Sequence, residues 1–436
     1  MADFARSAHP GVQAQLDRLA KLSPAGDRLG LERIVALLDR LGRPQDNLPP
    51  VFHVAGTNGK GSTVAFLRAA LEAAGHKVHA FTSPHLVRFN ERIRVAGRLI
   101  DDEPLAALLT EVLDASDAIE PSFFEVATAV AILAFARTPA DACILEVGLG
   151  GRLDSTNVVD RPAVTGIASL ALDHQHFLGN KLADIAAEKA GIAKAGVPLV
   201  TQLYPPPISS RIGQIVLEKG ALWLPRGTRW DTEVRHGKIR YRDKLGTLDL
   251  PLPRLSGKHQ AMNAALAVAM LRHQQSLDVP VSALRKAMSS VEWPARMQRL
   301  SDGPLIRHLP KASELWLDGG HNPSAARAVA EFIRLRFDDD VPLVLVFASL
   351  GSKDPKGTLL PFRGVATQIL TLPIGDHEYR DPEELADLAR SLGFRAEPYD
   401  NLAEALAAVR AQARVLIFGS LYLAGEVLAA NNQVPD

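Results

Sequence analysis

The sequence has a single cysteine, no long apolar run and no net charge, and each shortage excludes a class of protein. One cysteine, Cys143, rules out a disulfide framework, and its apolar neighbours indicate a small core residue in a reducing compartment. The longest apolar run, residues 126–136, is too short to span a bilayer. The first residues lack the basic and apolar stretches of a secretory signal. We therefore expect a cytoplasmic protein without a membrane segment.

Basic and acidic residues balance, with 49 of each among 436 residues. This balance argues against a protein that coats nucleic acid or lies on a membrane surface. The apolar content of 47% is ordinary for a globular protein. The length exceeds that of one compact core and indicates two or three domains.

Between residues 51 and 202, short apolar runs typical of buried strands alternate with helical patterns. Such alternation predicts a mostly parallel sheet covered by helices. Residues 226–252 break the rhythm with polar, alternating segments rich in Trp, Tyr and Thr, which predict a small antiparallel patch. The predicted strands of the first part are 51–56, 77–81, 141–148, 163–169 and 197–202, and helices are predicted at 60–75, 123–137, 182–196, 258–276 and 281–290.

A second α/β rhythm follows a segment rich in Pro, Gly and polar residues at 292–304, which we interpret as a linker. The fold class predicted is α/β: a P-loop-containing, mostly parallel sheet domain with a small antiparallel patch, residues 1–298, and a smaller C-terminal Rossmann-like α/β domain, residues 299–436. The strands predicted in the second domain are 314–319, 341–348, 365–373 and 413–419.

The segment "GTNGKGS" lies between the first predicted strand and a helix. Main-chain N–H groups of a glycine-rich turn and the positive end of a helix attract an anion, and Lys60 can reach the outer phosphates of a nucleotide. Two residues, instead of the usual four, separate the first glycine from the Gly-Lys pair. The alternative is a plain turn capped by Asn58, although three glycines around a lysine serve no packing need. The predicted phosphate-binding residues are Gly56, Thr57, Asn58, Gly59, Lys60, Gly61 and Ser62.

Three further polar residues follow predicted strands, where open α/β sheets bind ligands. Ser83 comes after the second strand, Glu146 ends another, and His174 lies further along the chain. A hydroxyl, a carboxylate and an imidazole near a phosphate loop suit one Mg²⁺ ion bound with nucleotide phosphates. A lone histidine is often structural, whereas a carboxylate at the end of so apolar a strand must be paired or metal-bound.

Eight motifs resemble, as a set, the bifunctional dihydrofolate synthase/folylpolyglutamate synthase family of the Mur ligase superfamily, and the resemblance runs from about residue 29 to residue 425. Two mild departures are Ser122, where threonine is common, and Gly320, where alanine is common. The motifs are "GTNGKGS", "TSPHL", "NERIRV", "GLGGRLDSTN", "DHxxxLG", "EKAGI", "DGGHNP" and "GSLYLAG".

The resemblance implies roles for these residues. Ser83, Glu146 and His174 are expected to hold Mg²⁺, and Lys60, Lys189 and His174 to act in catalysis. Lys189 is similar to a lysine that becomes carbamylated; the alternative is a surface lysine paired with Glu188.

The resemblance also implies the substrate contacts. ATP is expected to lie between the domains, and the segment at residues 26–34 is expected to contribute to the pterin site, where Asp154 is the sharpest candidate. The expected contacts are Asn263, Arg296 and Asp318 for ATP, Phe124, Arg152 and Asp154 for the pterin, and His321 and Ser420 for glutamate.

The implied activity is ATP-dependent ligation of L-glutamate to 7,8-dihydropteroate and to reduced folates, by a monomer using Mg²⁺. Three alternatives stay open. The first is a folylpolyglutamate synthase without dihydropteroate activity. The second is a Mur-type ligase acting on a cell-wall precursor, which we expect to need a longer segment before the phosphate loop. The third is a non-catalytic nucleotide switch, which needs the loop but not the metal set.

Overall fold

The computed structural model describes residues 5–22, 29–337 and 340–436. The chain forms two compact units. The first comprises Met1–Arg254 and Gln260–Glu292, with Asp436, and the second comprises Leu255–His259 and Trp293–Pro435. Both are α/β, as predicted. Within the described residues, no helix is long and apolar enough to cross a membrane.

The first unit alternates strands with helices, as the periodicity predicts. Its strands are β1 Val51–Ala55, β2 Val78–Phe81, β3 Ile93–Val95, β4 Arg98–Leu99, β5 Ala142–Glu146, β6 Val164–Ile167, β7 Pro198–Thr201, β8 Leu222–Pro225, β9 Trp230–Arg235, β10 Lys238–Asp243 and β11 Gly246–Pro251. Its helices are α1 Pro10–Leu22, α2 Glu32–Arg40, α3 Lys60–Ala73, α4 Asp102–Asp114, α5 Phe123–Arg137, α6 Gln175–Leu178, α7 Leu182–Ala190, α8 Pro206–Lys219, α9 Lys258–His273 and α10 Val281–Ser290.

Eight of these strands form one sheet in the order β4-β3-β2-β5-β1-β6-β7-β8. The six strands from β2 to β8 are parallel, and the short β3 and β4 are antiparallel at one edge. The predicted antiparallel patch is confirmed as a separate three-stranded sheet, β11-β10-β9. The parallel strands carry their loops to a common edge, which is the feature that positions the site.

Helices cover both faces of the large sheet. One face packs against α1, α2, α4 and α5 and, further along, against α7 and α8. The other face is covered by α3 and α9, where Met270 approaches the strand residue Gly166 so closely that a side chain there would overlap it. Cys143 is fully buried within β5, and burial raises the pKa of its thiol, so its interpretation as a core residue is confirmed.

The described residues of the second unit form a six-stranded sheet in the order β12-β13-β17-β14-β15-β16, in which β12 is antiparallel to β13 and the other pairs are parallel. Its elements are β12 Gln298–Leu300, β13 Glu314–Asp318, α11 Pro323–Arg336, β14 Leu343–Phe347, α12 Pro355–Leu359, β15 Ala366–Thr371, α13 Pro382–Ser391, β16 Arg395–Pro398, α14 Leu402–Ala407, β17 Arg414–Phe418 and α15 Leu421–Ala430.

The prediction of a linker at residues 292–304 is wrong in part. Residues 298–300 form β12, which pairs with β13. The main-chain N–H of Met297 donates to Asp318 Oδ2 at 2.8 Å and ties the segment to the end of β13. The predicted domain boundary after residue 298 stays a prediction, and the continuous part of the second unit begins at Trp293.

Candidate active site

The strand order brings several predicted site residues to one edge of the large sheet. Strands β2, β5, β1 and β6 are neighbours and parallel, so their carboxyl ends lie side by side. Ser83 follows β2, Glu146 ends β5, residues 56–59 follow β1 and residues 168–174 follow β6. Adjacent strands are about 4.8 Å apart, so these four segments form one continuous rim, the place where open α/β sheets bind ligands.

The glycine-rich loop is held in place by the segment that follows β6. The main-chain N–H groups of Thr57 and Asn58 both donate to the carbonyl oxygen of Ser169, at 2.8 and 3.2 Å. Thr57 Oγ1 donates to the carbonyl oxygen of Ala171 at 3.0 Å. These bonds anchor the first part of the loop to the segment after β6. The part of the loop that begins α3 is left to bind a ligand.

Helix α3 begins inside the loop, at Lys60. Its N-cap is Gly59, whose φ of +85° is a left-handed conformation that glycine adopts without strain. The N–H groups of Lys60, Gly61 and Ser62 lie in the first turn, where the helix itself offers no acceptor. Together with the helix dipole, they suit a phosphate group. Lys60 Nζ folds back over the loop and donates to the carbonyl oxygen of Gly56 at 3.1 Å.

Asn263 on α9 lies against the same loop. It is 5% exposed, and its Nδ2 donates to Gln260 Oε1 at 3.1 Å. A Cβ added to Gly59 would overlap the Asn263 side-chain oxygen. The contact with the loop favours the predicted role of Asn263 beside the nucleotide, which stays a prediction.

Ser83 and Glu146 touch at the ends of β2 and β5. The Ser83 main-chain N–H donates to Glu146 Oε2 at 3.3 Å, and Glu146 is 4% exposed. Hydroxyl and carboxylate oxygens are ligands that Mg²⁺ prefers, and a buried carboxylate needs compensation by a cation or by donors. The pair therefore fits the predicted ion. Among the described residues, no group of three or more His, Cys, Asp or Glu side chains is placed to hold a metal.

His174 lies on the loop after β6, just before α6. Its φ is +50°, and its main-chain N–H donates to Asp173 Oδ1 at 2.9 Å. Strand β6 borders β1 on the side away from β5. His174 and Glu146 therefore follow strands on opposite sides of the phosphate loop, and the role of His174 as a third metal ligand stays a prediction.

Lys189 is buried near the end of α7, with 4% exposure. Burial, and next the charge of Lys60, lower the pKa of Lys189 to about 7, although the carboxylate of Asp173 raises it. The interpretation as a surface lysine is wrong, because Lys189 is buried. Glu188 forms an ion pair with Arg152 at 2.9 Å, and its charge also raises the pKa of Lys189. Carbamylation requires a neutral amine, and a lysine with a pKa near 7 is partly neutral at neutral pH.

Asp154 lies at the centre of a buried hydrogen-bond network. Its Oδ1 accepts from the N–H and the hydroxyl of Thr156, at 3.0 and 2.5 Å, and its Oδ2 accepts from the Leu149 N–H at 2.8 Å. His53 Nε2 is 2.8 Å from the Thr156 hydroxyl oxygen. Because that hydroxyl donates to Asp154, the histidine donates to the hydroxyl. A carboxylate accepts about four bonds, so one position on Oδ2 remains for a further donor, and the pterin contact of Asp154 stays a prediction.

The electrostatics of this network follow from its burial. Desolvation lowers the pKa of His53 to about 3, so the ring is neutral at physiological pH. Desolvation also raises the pKa of the Asp154 carboxyl, against the hydrogen bonds that lower it.

The glycine turn that carries Asp154 packs closely on the end of α7. A Cβ on Gly151 would lie 2.8 Å from the carbonyl oxygen of Glu188, the same oxygen that accepts the Arg152 N–H at 2.8 Å. The Arg152 side chain is half exposed. The glycines in this turn therefore allow the segment after β5 to touch the backbone of α7. The same turn carries both Arg152 and Asp154.

Phe124 covers the same turn from the start of α5. A Cβ on Gly148 would overlap the Phe124 ring, whose centroid is 5.7 Å from that of Phe81. The helix starts with a capping box, in which Ser122 Oγ accepts the Glu125 N–H and Glu125 accepts the Ser122 N–H. The predicted pterin residues Phe124 and Asp154 thus flank one short loop.

Part of the segment expected at the pterin, residues 26–28, lies outside the described residues. Its described part continues into α2, where Arg33 Nε pairs with the buried carboxylate of Glu125 at 3.0 Å.

In the second unit, Arg296 and Asp318 lie in one cluster. The Asp318 carboxylate accepts the N–H groups of Met297 and Gly320, both at 2.8 Å. Arg296 stands between Ala295 and Met297, whose φ values of +54° and +42° are unusual for residues other than glycine. These two conformations, one on each side of Arg296, store strain of the kind found at functional sites. The predicted nucleotide contacts of Arg296 and Asp318 stay predictions.

His321 and Ser420 follow β13 and β17, which are adjacent and parallel. The Gly419 N–H donates to the Gly320 carbonyl oxygen at 3.0 Å and joins the two loops. Ser420 is 2% exposed, and its hydroxyl oxygen caps the first turn of α15. Both predicted glutamate residues therefore belong to one edge of the smaller sheet, and their role stays a prediction.

Sequence reasoning missed several residues of the larger site. Asp173 was passed over although it precedes His174, and His53 gave no signal because it lies within an apolar strand. Glu91 belongs to the motif "NERIRV" but received no role. Thr156 likewise lies within a quoted motif, "GLGGRLDSTN".

Comparison with known proteins agrees with this geometry. Residues 296–421 match the family described as Mur ligase, glutamate ligase domain. The dihydrofolate synthase/folylpolyglutamate synthase of Escherichia coli (strain K12) is 36% identical over 407 residues, which are 92% of this chain and 90% of the relative.

Two solved structures are also similar. E. coli FolC in complex with DHPP and ADP has a TM-score of 0.87 and 34% identity, with 98% of this chain and 99% of that one covered. A bifunctional folylpolyglutamate synthase/dihydrofolate synthase with Mn, AMPPNP and L-glutamate bound has a TM-score of 0.85 and 31% identity, with the same coverage. The chain described here belongs to the dihydrofolate synthase/folylpolyglutamate synthase family.

Proposed function

We propose that this enzyme, an ATP-dependent amide-forming ligase, joins L-glutamate both to 7,8-dihydropteroate and to reduced folates. The observation that carries the proposal is the rim of the large sheet, where the phosphate loop and the Ser83–Glu146 pair follow neighbouring strands. The buried Lys189 on α7 lies close enough to this rim for the charge of Lys60 to lower its pKa. The relatives' names and bound ligands agree with this chemistry.

In the first step, a carboxylate oxygen of the pterin substrate attacks the γ-phosphorus of ATP, and ADP leaves. The product is an acyl phosphate, which is a good electrophile. The approach of a carboxylate to a polyphosphate brings anions together, so cationic groups must offset the repulsion. Lys60 and the N-terminal turn of α3 supply positive charge at this place.

Ser83, Glu146 and the predicted third ligand His174 would hold Mg²⁺, which would supply positive charge that neutralises the phosphates. The relative solved with Mn and AMPPNP supports a divalent ion at such a site. Glu146 is 4% exposed, so the ion would also compensate a carboxylate that is otherwise costly to bury.

In the second step, the amine of L-glutamate attacks the acyl carbon, a tetrahedral intermediate forms, and phosphate leaves as the amine loses a proton. We assign the amino acid to the loops of His321 and Ser420. Water must be excluded meanwhile, because it would hydrolyse the acyl phosphate.

Lys189 is proposed to act as a carbamate. Its neutral amine adds to CO₂ and loses a proton, so that a buried cation becomes an anion. The nearby Lys60 then faces an opposite charge instead of a like one, which removes the repulsion that lowers the pKa of Lys189.

The expected location of the protein in the cytoplasm and its expected monomeric state also stay predictions.

The test is ADP release by the purified enzyme with ATP, Mg²⁺ and L-glutamate, run in parallel with 7,8-dihydropteroate and with a reduced folate. Turnover of both supports the bifunctional proposal. Turnover of the folate alone favours the chain-extending alternative and contradicts the pterin role of Asp154. Turnover of neither substrate contradicts both the bifunctional proposal and the chain-extending alternative, and Mur-type substrates are then tested.

A further inference from the structure

Glu91 accepts hydrogen bonds from three successive main-chain N–H groups of the loop that carries Ser83. The Leu86 N–H donates to Glu91 Oε2 at 2.7 Å, and the N–H groups of Val87 and Arg88 donate to Oε1 at 2.9 and 2.7 Å. Consecutive N–H groups that converge in this way form a nest, a common binding place for anions. Here the chain's own carboxylate fills the nest.

A second bond anchors the same loop through a side chain. Arg92 Nε donates to His85 Nδ1 at 2.8 Å. Arg92 is fully buried, with its guanidinium over the rings of Phe89 and Phe123 at 5.7 and 5.4 Å from their centroids. Because a guanidinium only donates, His85 Nδ1 is the acceptor, and a neutral His85 ring carries its proton on Nε2.

Two further hydrogen bonds join Thr82, the residue before this loop, to the turn that follows the loop. The Thr82 N–H donates to the Arg92 carbonyl oxygen at 3.0 Å, and Thr82 Oγ1 donates to the Glu91 carbonyl oxygen at 3.3 Å. Residues 83–88, which we name the serine loop, are thus held at both ends by the turn of residues 89–92. Ser83 itself is tied to Glu146 by its N–H.

We propose that Glu91 is a positioning residue, which fixes the serine loop so that Ser83 stands beside Glu146 before the ion binds. A loop without this anchor must be ordered each time the ion binds, and each residue ordered costs conformational entropy. The inference rests on the proposed function for its use of the ion. The hydrogen-bond cradle itself does not depend on that function.

The test replaces Glu91 by glutamine. In Glu91→Gln one acceptor oxygen becomes an NH₂ group, which cannot accept the N–H groups that it faces. The matched control is Asp381→Asn, because Asp381 also accepts successive main-chain N–H groups, those of Glu383 and Glu384, at the start of α13. Each variant changes one carboxylate into an amide at a main-chain anchor.

Amide hydrogen exchange, metal binding and steady-state kinetics are measured on each variant. Amide hydrogen exchange at residues 86–88 is expected to accelerate at least about tenfold in Glu91→Gln and to stay unchanged in Asp381→Asn. Mn²⁺ binding in the presence of ADP is expected to weaken by roughly fivefold or more, together with a matching rise in the Mg²⁺ concentration that half-saturates ADP release. The KM for L-glutamate is expected to stay within about twofold.

Unchanged exchange at residues 86–88 overturns the cradle, and faster exchange with unchanged Mn²⁺ binding overturns the positioning role. If Glu91→Gln does not fold, Glu91→Asp serves, because its shorter side chain keeps the charge but cannot reach all three donors. Exchange and Mn²⁺ binding need no turnover. A parent enzyme that is inactive on folates therefore contradicts the proposed function without deciding this inference.

Discussion

The side-chain oxygen of Asn263 occupies the space that a Cβ on Gly59 would need. Two segments separated by two hundred residues of chain thus determine the shape of the phosphate loop. Gly59 meets two demands at once, a left-handed φ of +85° and close contact with a buried amide.

We expect Gly59→Ala to raise the KM for ATP at least about tenfold, because the new Cβ would overlap the Asn263 side chain and displace the phosphate loop. The left-handed conformation of the alanine adds a cost of roughly 1–2 kcal/mol to stability. Gly75→Ala is the control: Gly75 has a φ of +93°, but no atom lies within 4 Å of its added Cβ. That variant should lose stability and keep its KM for ATP. Equal KM values in the two variants would contradict the role of the Asn263 contact.

Lys60→Ala is expected to abolish turnover of both pterin substrates, with kcat falling at least about 100-fold, because the positive charge acts on the phosphoryl group that both reactions share. Steady-state ADP release with each substrate is the measurement. Lys219→Ala, an exposed lysine at the end of α8, should leave both rates unchanged. Loss of only one activity would mean that Lys60 serves that substrate and not the nucleotide.

Carbamylation of Lys189 should depend on pH. The pKa of about 7 means that the neutral amine predominates above this pH and the ammonium below it. With ¹³C-labelled bicarbonate, the carbamate NMR signal should therefore grow between pH 6 and pH 8, a span of about one unit on each side of that pKa. Lys189→Arg should show no signal.

Lys60→Ala should move the appearance of this signal to a higher pH, because the charge of Lys60 lowers the pKa of Lys189. A signal that shifts to lower pH, or that is absent from the parent enzyme at every pH, would contradict this account of the lysine pair.

Asp154→Ala is expected to reduce use of dihydropteroate more than use of a reduced folate, by roughly tenfold or more in the ratio of kcat/KM values. Thr156→Val is the matched variant, since it removes the hydroxyl between His53 and Asp154 but keeps the carboxylate. Its effect should be small and similar on both substrates. Equal loss on both substrates in Asp154→Ala would mean that the residue serves only to hold its turn.

Ser420→Ala should raise the KM for L-glutamate at least about fivefold and leave the KM for ATP unchanged, if the hydroxyl contacts the amino acid. Because Ser420 also caps α15, some loss of stability is expected, about 1 kcal/mol. Asn401→Ala removes the side-chain cap of α14 and controls for that loss. A rise in KM that follows the drop in melting temperature in both variants would exclude a direct role.

The periodicity predicts most of the fold because each buried strand and helix shows its burial in its own residues. It misses β16, Arg395–Pro398, because this edge strand has the polar sequence "RAEP" and no apolar run. It also assigns residues 298–300 to a linker, since their pairing with β13 depends on residues further along the chain. Helix α7 ends at Ala190, several residues before the predicted end, where Gly191 meets the Arg152 backbone.

The alternation of strands and helices, the phosphate loop and the set of motifs are legible in the residues alone, because they depend on residue types at short spacing. The folded chain adds three facts: β2, β5, β1 and β6 are neighbours, Lys189 is buried beside the charge of Lys60, and Glu91 holds the serine loop. Strand order and burial arise from contacts between distant segments. The pKa of a lysine and the partners of a carboxylate follow from those contacts, so no local pattern encodes them.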